Sequence, residues 1–140
     1  MTPPPVLYIE DDENDVLLMR QAWERVHVQN PLRVVSNGQE ALDYLSGEPP
    51  YANRADHPMP CLVLLDLKMP KVSGLEVLRW IRSRPDLVGL RVVVFSSSKT
   101  PADINAAHAL RIDAYLVKSS RFDELLAAVD NLNVYWLRGR

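Results

Sequence analysis

The run CLVLL, residues 61–65, is apolar throughout, and the residue that follows it is Asp66. A carboxylate at the end of a buried strand costs several kcal/mol unless other groups compensate its charge. Groups able to do so follow other apolar runs of the chain. Glu10 and Asp11 come after VLYI, Ser96 with Ser97 and Ser98 after VVVF, and Lys118 after AYLV. Carboxylates brought together without compensation repel one another and raise their own pKa values. A hard divalent cation resolves that conflict, and Mg²⁺ is commonly held by one or two carboxylates with phosphate oxygens and waters. The Lys118 ammonium can pair with a carboxylate or a phosphoryl oxygen, and Ser96 offers a hydroxyl donor to the same oxygens. Such a set is a phosphoryl-acceptor site: Asp66 attacks phosphorus in line, and the cationic groups stabilise the charge of the transferring group.

Taken singly, each piece is commonplace. The acidic stretch EDDEND, residues 10–15, reads as a solvated helix start, where the macrodipole favours anions. A serine triplet is usually a turn, and a lysine after a strand usually snorkels to the surface. Complementary groups at four strand ends are much harder to explain that way.

The elements that must position these groups alternate strand and helix. Strands are expected at Val6–Ile9, Leu32–Val35, Cys61–Leu65, Arg91–Phe95 and Ala114–Val117. The first helix runs from about Asn14 to His27, with Val16, Met19, Trp23 and Val26 spaced three and four apart. Ser36 with Gln39 forms a capping-box pattern for a second helix, and Gly47 is placed to end it. Ser73 with Glu76 opens a third, which Pro85 stops. Thr100, Pro101 and Asp103 open a fourth, with proline at the first helical position. Phe122, Leu125, Leu126, Val129 and Leu132 stripe the last. Strands apolar on both faces and alternating with helices imply a parallel sheet covered on both sides. Ligands of such sheets bind beyond the carboxyl ends of the strands, where all of these polar groups fall. The second strand alone brings no ionisable group, which suits the outer edge.

Composition narrows the function classes. The 140 residues suit one domain, residues 1–140, and the net charge of −2 argues against nonspecific nucleic-acid or anionic-membrane binding. The single cysteine, Cys61, cannot form an intramolecular disulfide and reads as a small buried hydrophobe in a reducing, cytoplasmic setting. No segment approaches a membrane span, and MTPPPVLYIE has no signal-peptide core. The chain ends at Arg140, directly after the fifth helix, so no output domain is expected.

YIEDD, LLDLKMP with its following SG, VVVFSSS and YLVKS, in that order, resemble the receiver domain of two-component response regulators over essentially the whole chain. The resemblance implies a flavodoxin-like five-stranded parallel sheet of order 2-1-3-4-5 with five helices. It implies Asp66 as phosphoacceptor from a histidine kinase, and Glu10, Asp11, Asp66 and the Lys68 backbone carbonyl around Mg²⁺. It further implies Ser96 and Tyr115 as the switch pair, Lys118 as the site lysine, and slow self-hydrolysis of the phosphoryl group. A signalling protein rather than a metabolic enzyme is expected, read out on the surface of the fourth helix, fifth strand and fifth helix. Two features depart from the pattern. Ser119 stands where relatives usually carry proline after the lysine, commonly with a cis bond, which leaves cis and trans both open here. Lys68 is a cation two residues past the acceptor, placed to alter the phosphoryl lifetime. The Lys-Ser variant, the long stretch 46–60 and the VYWL ending resemble single-domain regulators that partner bacterial phytochrome histidine kinases.

Tyr135 and Trp136 allow two readings: a terminal turn folded back on the domain, or a homodimer or partner contact, since aromatics anchor interfaces. The stretch 46–60 likewise reads as a passive insertion or a kinase-docking element. The rival enzyme class, a haloacid-dehalogenase-type phosphatase, needs Asp-x-Asp where this chain has Asp66 and Lys68, and places its acidic pair last in the chain. A flavin-binding module would set a phosphate against EDDEND. A receiver that binds partners without phosphorylation is disfavoured by the complete acid, Asp, Ser and Lys set.

Overall fold

A computed structural model describes residues 2–138, so the expected boundary at Arg140 lies outside the described residues. The elements are β1 (Val6–Ile9), α1 (Glu13–Val26), β2 (Leu32–Val35), α2 (Gly38–Ser46), β3 (Leu62–Leu65), α3 (Gly74–Ser83), β4 (Arg91–Ser96), α4 (Pro101–Ala109), β5 (Ala114–Val117) and α5 (Phe122–Leu132). All four strand pairings are parallel and the order is β2-β1-β3-β4-β5, as the sequence leads one to expect. Ile9 pairs with Val35 and Leu65, and Leu65 with Val94, so the strand ends lie level.

Two-residue periodicity splits the core by face. Leu7, Ile9, Val63, Leu65, Val92 and Val94 pack against α2, α3 and Ala107 of α4. Val6, Tyr8, Leu62, Leu64, Val93 and Phe95 pack against Met19, Ala22 and Trp23 of α1 and Val129 and Leu132 of α5. Each helix starts on a capping residue next to a strand end, except α5, whose first residue follows Arg121 without a side-chain cap. Ser73 and Thr100 cap as expected.

The cap of α2 is a correction. Asn37, not Ser36, accepts from the N–H three residues on, and its partner is Glu40, not Gln39. Both pairs have the same spacing. Ser36 continues straight from β2, and both its N–H and Oγ donate to the Glu40 carboxylate, so the helix begins one residue later. Cys61 precedes β3 and is half-buried rather than fully inside.

Residues 46–60 are tied down. Helices run back against the strands, so the loop after α2 lies at the amino edge of the sheet, opposite the edge that carries Asp66. Arg54 donates to the carbonyls of Tyr44 (2.7 Å) and Leu45 (3.0 Å) in the last turn of α2 and to that of His57 (3.3 Å) in the loop. Tyr44 Oη donates to Pro58 O, the Tyr51 ring tilts against that of Tyr44, and the His57 ring meets both edge-on. Arg54→Ala is expected to lower unfolding free energy by about 1.5–3 kcal/mol, the worth of hydrogen bonds from a charged donor. Hydrogen exchange should then speed up in 46–60 and the last turn of α2 while α1 and α5 stay protected.

Past α5 the chain makes one turn of π-helix, Asn133–Leu137, closed by Arg138 N–H on Asn133 O. The extra residue in that turn turns Leu137 into the α1–α5 core and leaves Tyr135 66% exposed. Trp136 is half-buried beneath the Arg91 guanidinium, 5.5 Å from the ring centroid. The two readings of this segment therefore divide between neighbours: Trp136 and Leu137 fold back, Val134 and Tyr135 face outward.

Candidate functional site

At the carboxyl edge, Glu10 and Asp11 follow β1, Asp66 follows β3, Ser96 ends β4 and Lys118 follows β5. Glu10 and Asp66 are buried and Asp11 is exposed; one carboxylate oxygen from each lies within 4.8 Å of the others. An all-oxygen set of that size suits a hard divalent cation of the Mg²⁺ or Mn²⁺ kind.

Lys118 crosses from β5 to the centre of this cluster. Its Nζ donates to Glu10 Oε1 (2.5 Å), Asp15 Oδ2 (2.8 Å) and Asp66 Oδ2 (3.4 Å), which uses all three ammonium protons. Burial works against its charge, but the hydrogen bonds to Asp15 and Glu10 outweigh that and hold its pKa above the ordinary lysine value. Burial pushes the Glu10 carboxyl up to about 7; the Lys118 hydrogen bond resists that push and the Asp66 charge adds to it. Tyr8 Oη and the Asp12 N–H also donate to Glu10, fixing both its oxygens.

The Asp66 loop is held from behind. Lys68 N–H donates to Asp66 Oδ1 (3.3 Å) and Gly74 N–H to Leu67 O (3.1 Å). Gly74 lies so close that a Cβ there would sit 2.1 Å from Asp66 O. The Lys68 ammonium does not reach the carboxylates; it pairs with Asp103 at the start of α4 (3.0 Å). Hydrogen bonding from Ser98 Oγ, and then from Lys68, holds the Asp103 carboxyl below the usual range.

Ser96 is fully buried, and its Oγ accepts from the Ser98 N–H (3.2 Å). Tyr115 already turns its ring onto the core, with its hydroxyl donating to Ser98 O (2.8 Å). Among the described residues only Pro49–Pro50 is cis, so the Lys118–Ser119 bond is trans.

The structure thus brings together Glu10, Asp11, Asp66 and Lys118, with Ser96 at the end of β4 beside them and Tyr115 on β5, bonded through Ser98 O to the β4–α4 connection; Tyr135 and Trp136 lie apart, beyond α5. Sequence reasoning missed two linkages, that of Lys118 to Asp15 and that of Lys68 to Asp103. Asp15, taken as part of a solvated helix start, is bound to Lys118. It lies one turn from Asp11, and side chains of α1 lean toward its N-terminus and so toward the strand ends; that spacing was the available signal. Ser98 and Asp103, read as turn and cap, tie Lys68 to α4, and only the meeting of two loops reveals it.

Known proteins share this fold. The response regulator Rcp1 of Synechocystis sp. is 33% identical over 135 residues, spanning 96% of this chain and 90% of the relative. Its Mn²⁺-bound crystal structure matches with a TM-score of 0.87 at 31% identity, covering 99% of this chain and 97% of that one. The phosphorylated cyanobacterial phytochrome response regulator RcpA matches with a TM-score of 0.89 at 34% identity, covering 99% and 96%. The bacteriophytochrome response regulator RtBRR matches with 0.80 at 40% identity, covering 96% and 80%. Family-level comparison matches residues 6–130, from the first residue of β1 into α5, to the response regulator receiver domain. The sheet order, the acidic pocket with its lysine and this near-complete match agree, and the chain belongs to the response regulator receiver domains, signalling phosphoacceptors that bind a divalent ion at the acidic pocket and partner histidine kinases.

Proposed function

We propose that Asp66 accepts a phosphoryl group from a phosphohistidine of a phytochrome-type histidine kinase in the cytoplasm, in a Mg²⁺-dependent reaction. The observation that carries this reading is the Lys118 ammonium held among Glu10, Asp15 and Asp66 beside a three-carboxylate cluster. An Asp66 oxygen bonds to phosphorus as the bond from phosphorus to the imidazole nitrogen breaks, and the electron pair leaves with the imidazole. Glu10, Asp11, Asp66 and the Lys68 backbone carbonyl would hold the ion, which neutralises charge on the phosphoryl oxygens. Lys118 pairs with one of those oxygens and Ser96 donates its hydroxyl to another. Ser96 Oγ also accepts from the Ser98 N–H, so a movement of Ser96 toward the phosphoryl group draws with it the β4–α4 connection that carries the Tyr115 contact. The signal is then a change of the α4–β5–α5 surface, a local event biasing a bistable element.

The phytochrome partner rests on RcpA and RtBRR, whose own names state that association. Exposed Val134 and Tyr135 support a homodimer contact past α5, checked by light scattering of wild type against Tyr135→Ser. No helix among the described residues is long and apolar enough to cross a membrane.

The test is intact-mass analysis after incubation with acetyl phosphate and Mg²⁺. A gain of a single phosphoryl group is expected, absent from Asp66→Asn and from chelated samples. A gain that survives Asp66→Asn would move the acceptor elsewhere.

A further inference from the structure

We infer that Asp15 is a positioning residue that competes with the incoming phosphoryl group for the Lys118 ammonium and so restrains phosphorylation; this rests on Asp66 being the acceptor. A lysine ammonium has three protons and no more. In this structure Glu10, Asp15 and Asp66 take one each, so a phosphoryl oxygen gains a bond from Lys118 only when one of the three gives way.

The three are not equivalent. The Glu10 bond is shortest, and Glu10 is fully buried and fixed by Tyr8 and the Asp12 N–H. The Asp66 bond is longest at 3.4 Å, and Asp66 is the group that reacts. Asp15 lies at 2.8 Å, on α1 rather than on the sheet, and its side chain is 35% exposed. It can therefore release the lysine into solvent contact of its own, which a buried carboxylate cannot do without a large desolvation cost. Asp15 also stands outside the three-carboxylate cluster that suits a cation. Its role is to hold Lys118 toward α1 in the resting state and to let go when a stronger anion arrives.

Removing the Asp15 charge leaves Lys118 one competitor fewer. Asp15→Asn keeps the shape and one oxygen acceptor while removing the charge. We expect the second-order rate constant of phosphorylation to rise about two- to fivefold, the worth of a partly exposed ion pair. The rate at saturating donor should change less. Asp15→Glu, which restores a carboxylate, should return the rate toward wild type.

A simple field effect would also speed phosphorylation, because one negative charge near the site is gone. Two donors of different charge separate these accounts. Acetyl phosphate carries more negative charge near neutral pH than phosphoramidate, so a field effect acts more strongly on the first. Competition for Lys118 acts on the phosphoryl group itself and is the same for both. Equal acceleration with both donors supports the proposal. Acceleration confined to acetyl phosphate, or an unchanged or slower rate with both, overturns it. If wild type itself gains no phosphoryl group from either donor, it is the assignment of Asp66 that fails, and that outcome is visible before any variant is compared.

Discussion

Alanine at position 74 is expected to lower the unfolding free energy by about 3 kcal/mol, the upper part of the range for overpacking. The added Cβ would lie 2.1 Å from Asp66 O, 2.6 Å from Leu67 Cα and 2.9 Å from Asp66 C. All three atoms are backbone, so no side chain can rotate out of the way. Either α3 retreats from the sheet, exposing Val77, Leu78 and Ile81, or the Asp66 loop is pushed toward the carboxylate cluster. The thermal midpoint should fall by roughly 10 °C for a domain of this size. The phosphorylation rate should drop more steeply, since an ångström of misplacement can cost on the order of a hundredfold. Gly89→Ala serves as the control, because nothing lies within 4 Å of its added carbon. Equal midpoints for the two variants would show that α3 is free to back away and that its seating does not hold Asp66.

The second large effect belongs to Lys118. Lys118→Met keeps much of the aliphatic stem and removes the charge, leaving Glu10 and Asp66 buried beside each other. Breaking a buried pair from one side costs about 3–5 kcal/mol. The cost depends on pH in a direction that follows from Glu10. Its carboxyl is raised in the folded protein from 4.5 to about 7, so the folded state binds the extra proton between those values. The stabilisation from that proton is complete below 4.5 and is lost as pH rises through about 7. Without Lys118 the carboxyl is pushed higher still. The deficit of Lys118→Met should therefore be smallest near pH 5, where Glu10 is protonated in both proteins, and largest near pH 8. Added Mg²⁺ should recover part of it at pH 8 and little at pH 5, because protons and cations compete for the same oxygens. Urea unfolding at both pH values, with and without Mg²⁺, reads all four quantities; a deficit independent of pH would mean that water reaches Glu10 once the lysine is gone.

The parts of the fold that could be read in advance are those set by neighbours in sequence. A parallel strand buried on both faces must be a short apolar run, as the central strands β1, β3 and β4 are, while the edge strands β2 and β5 are only partly buried and β2 carries Arg33. Ser73 and Thr100 cap their helices because the cap's partner is three residues away. The start of α2 escaped by one residue because Ser36 with Gln39 and Asn37 with Glu40 are interleaved pairs of equal spacing. What chose between them was how far β2 carries the chain, a property of its pairing with β1.

The same division runs through the site. Glu10, Asp66, Ser96 and Lys118 each terminate a strand or follow one directly, so sheet topology alone gathers them. Asp15 reaches Lys118 only through the way α1 seats on the sheet, and Lys68 reaches Asp103 only through two loops meeting. The π turn is a third case. A regular helix through residues 133–137 places the four apolar side chains around too wide an arc to choose a face, and the inserted residue is what sets Leu137, five residues on, in the same buried cluster as Leu132.

Lys118 joins segments that are remote along the chain: β5 to β1 across 108 residues, to α1 across 103 and to β3 across 52. In the unfolded chain those carboxylates are scattered, so any ion or phosphoryl group that needs them together favours the folded form alone. The signal and the survival of the protein are then thermodynamically linked. A population of this regulator carrying its signal opens less often than a population without it, and a protease that cuts only opened chains will clear the silent molecules first. The steady-state mixture in a cell would lean toward the signalling form even at a constant kinase flux, a bias that arises from degradation rather than from phosphoryl transfer.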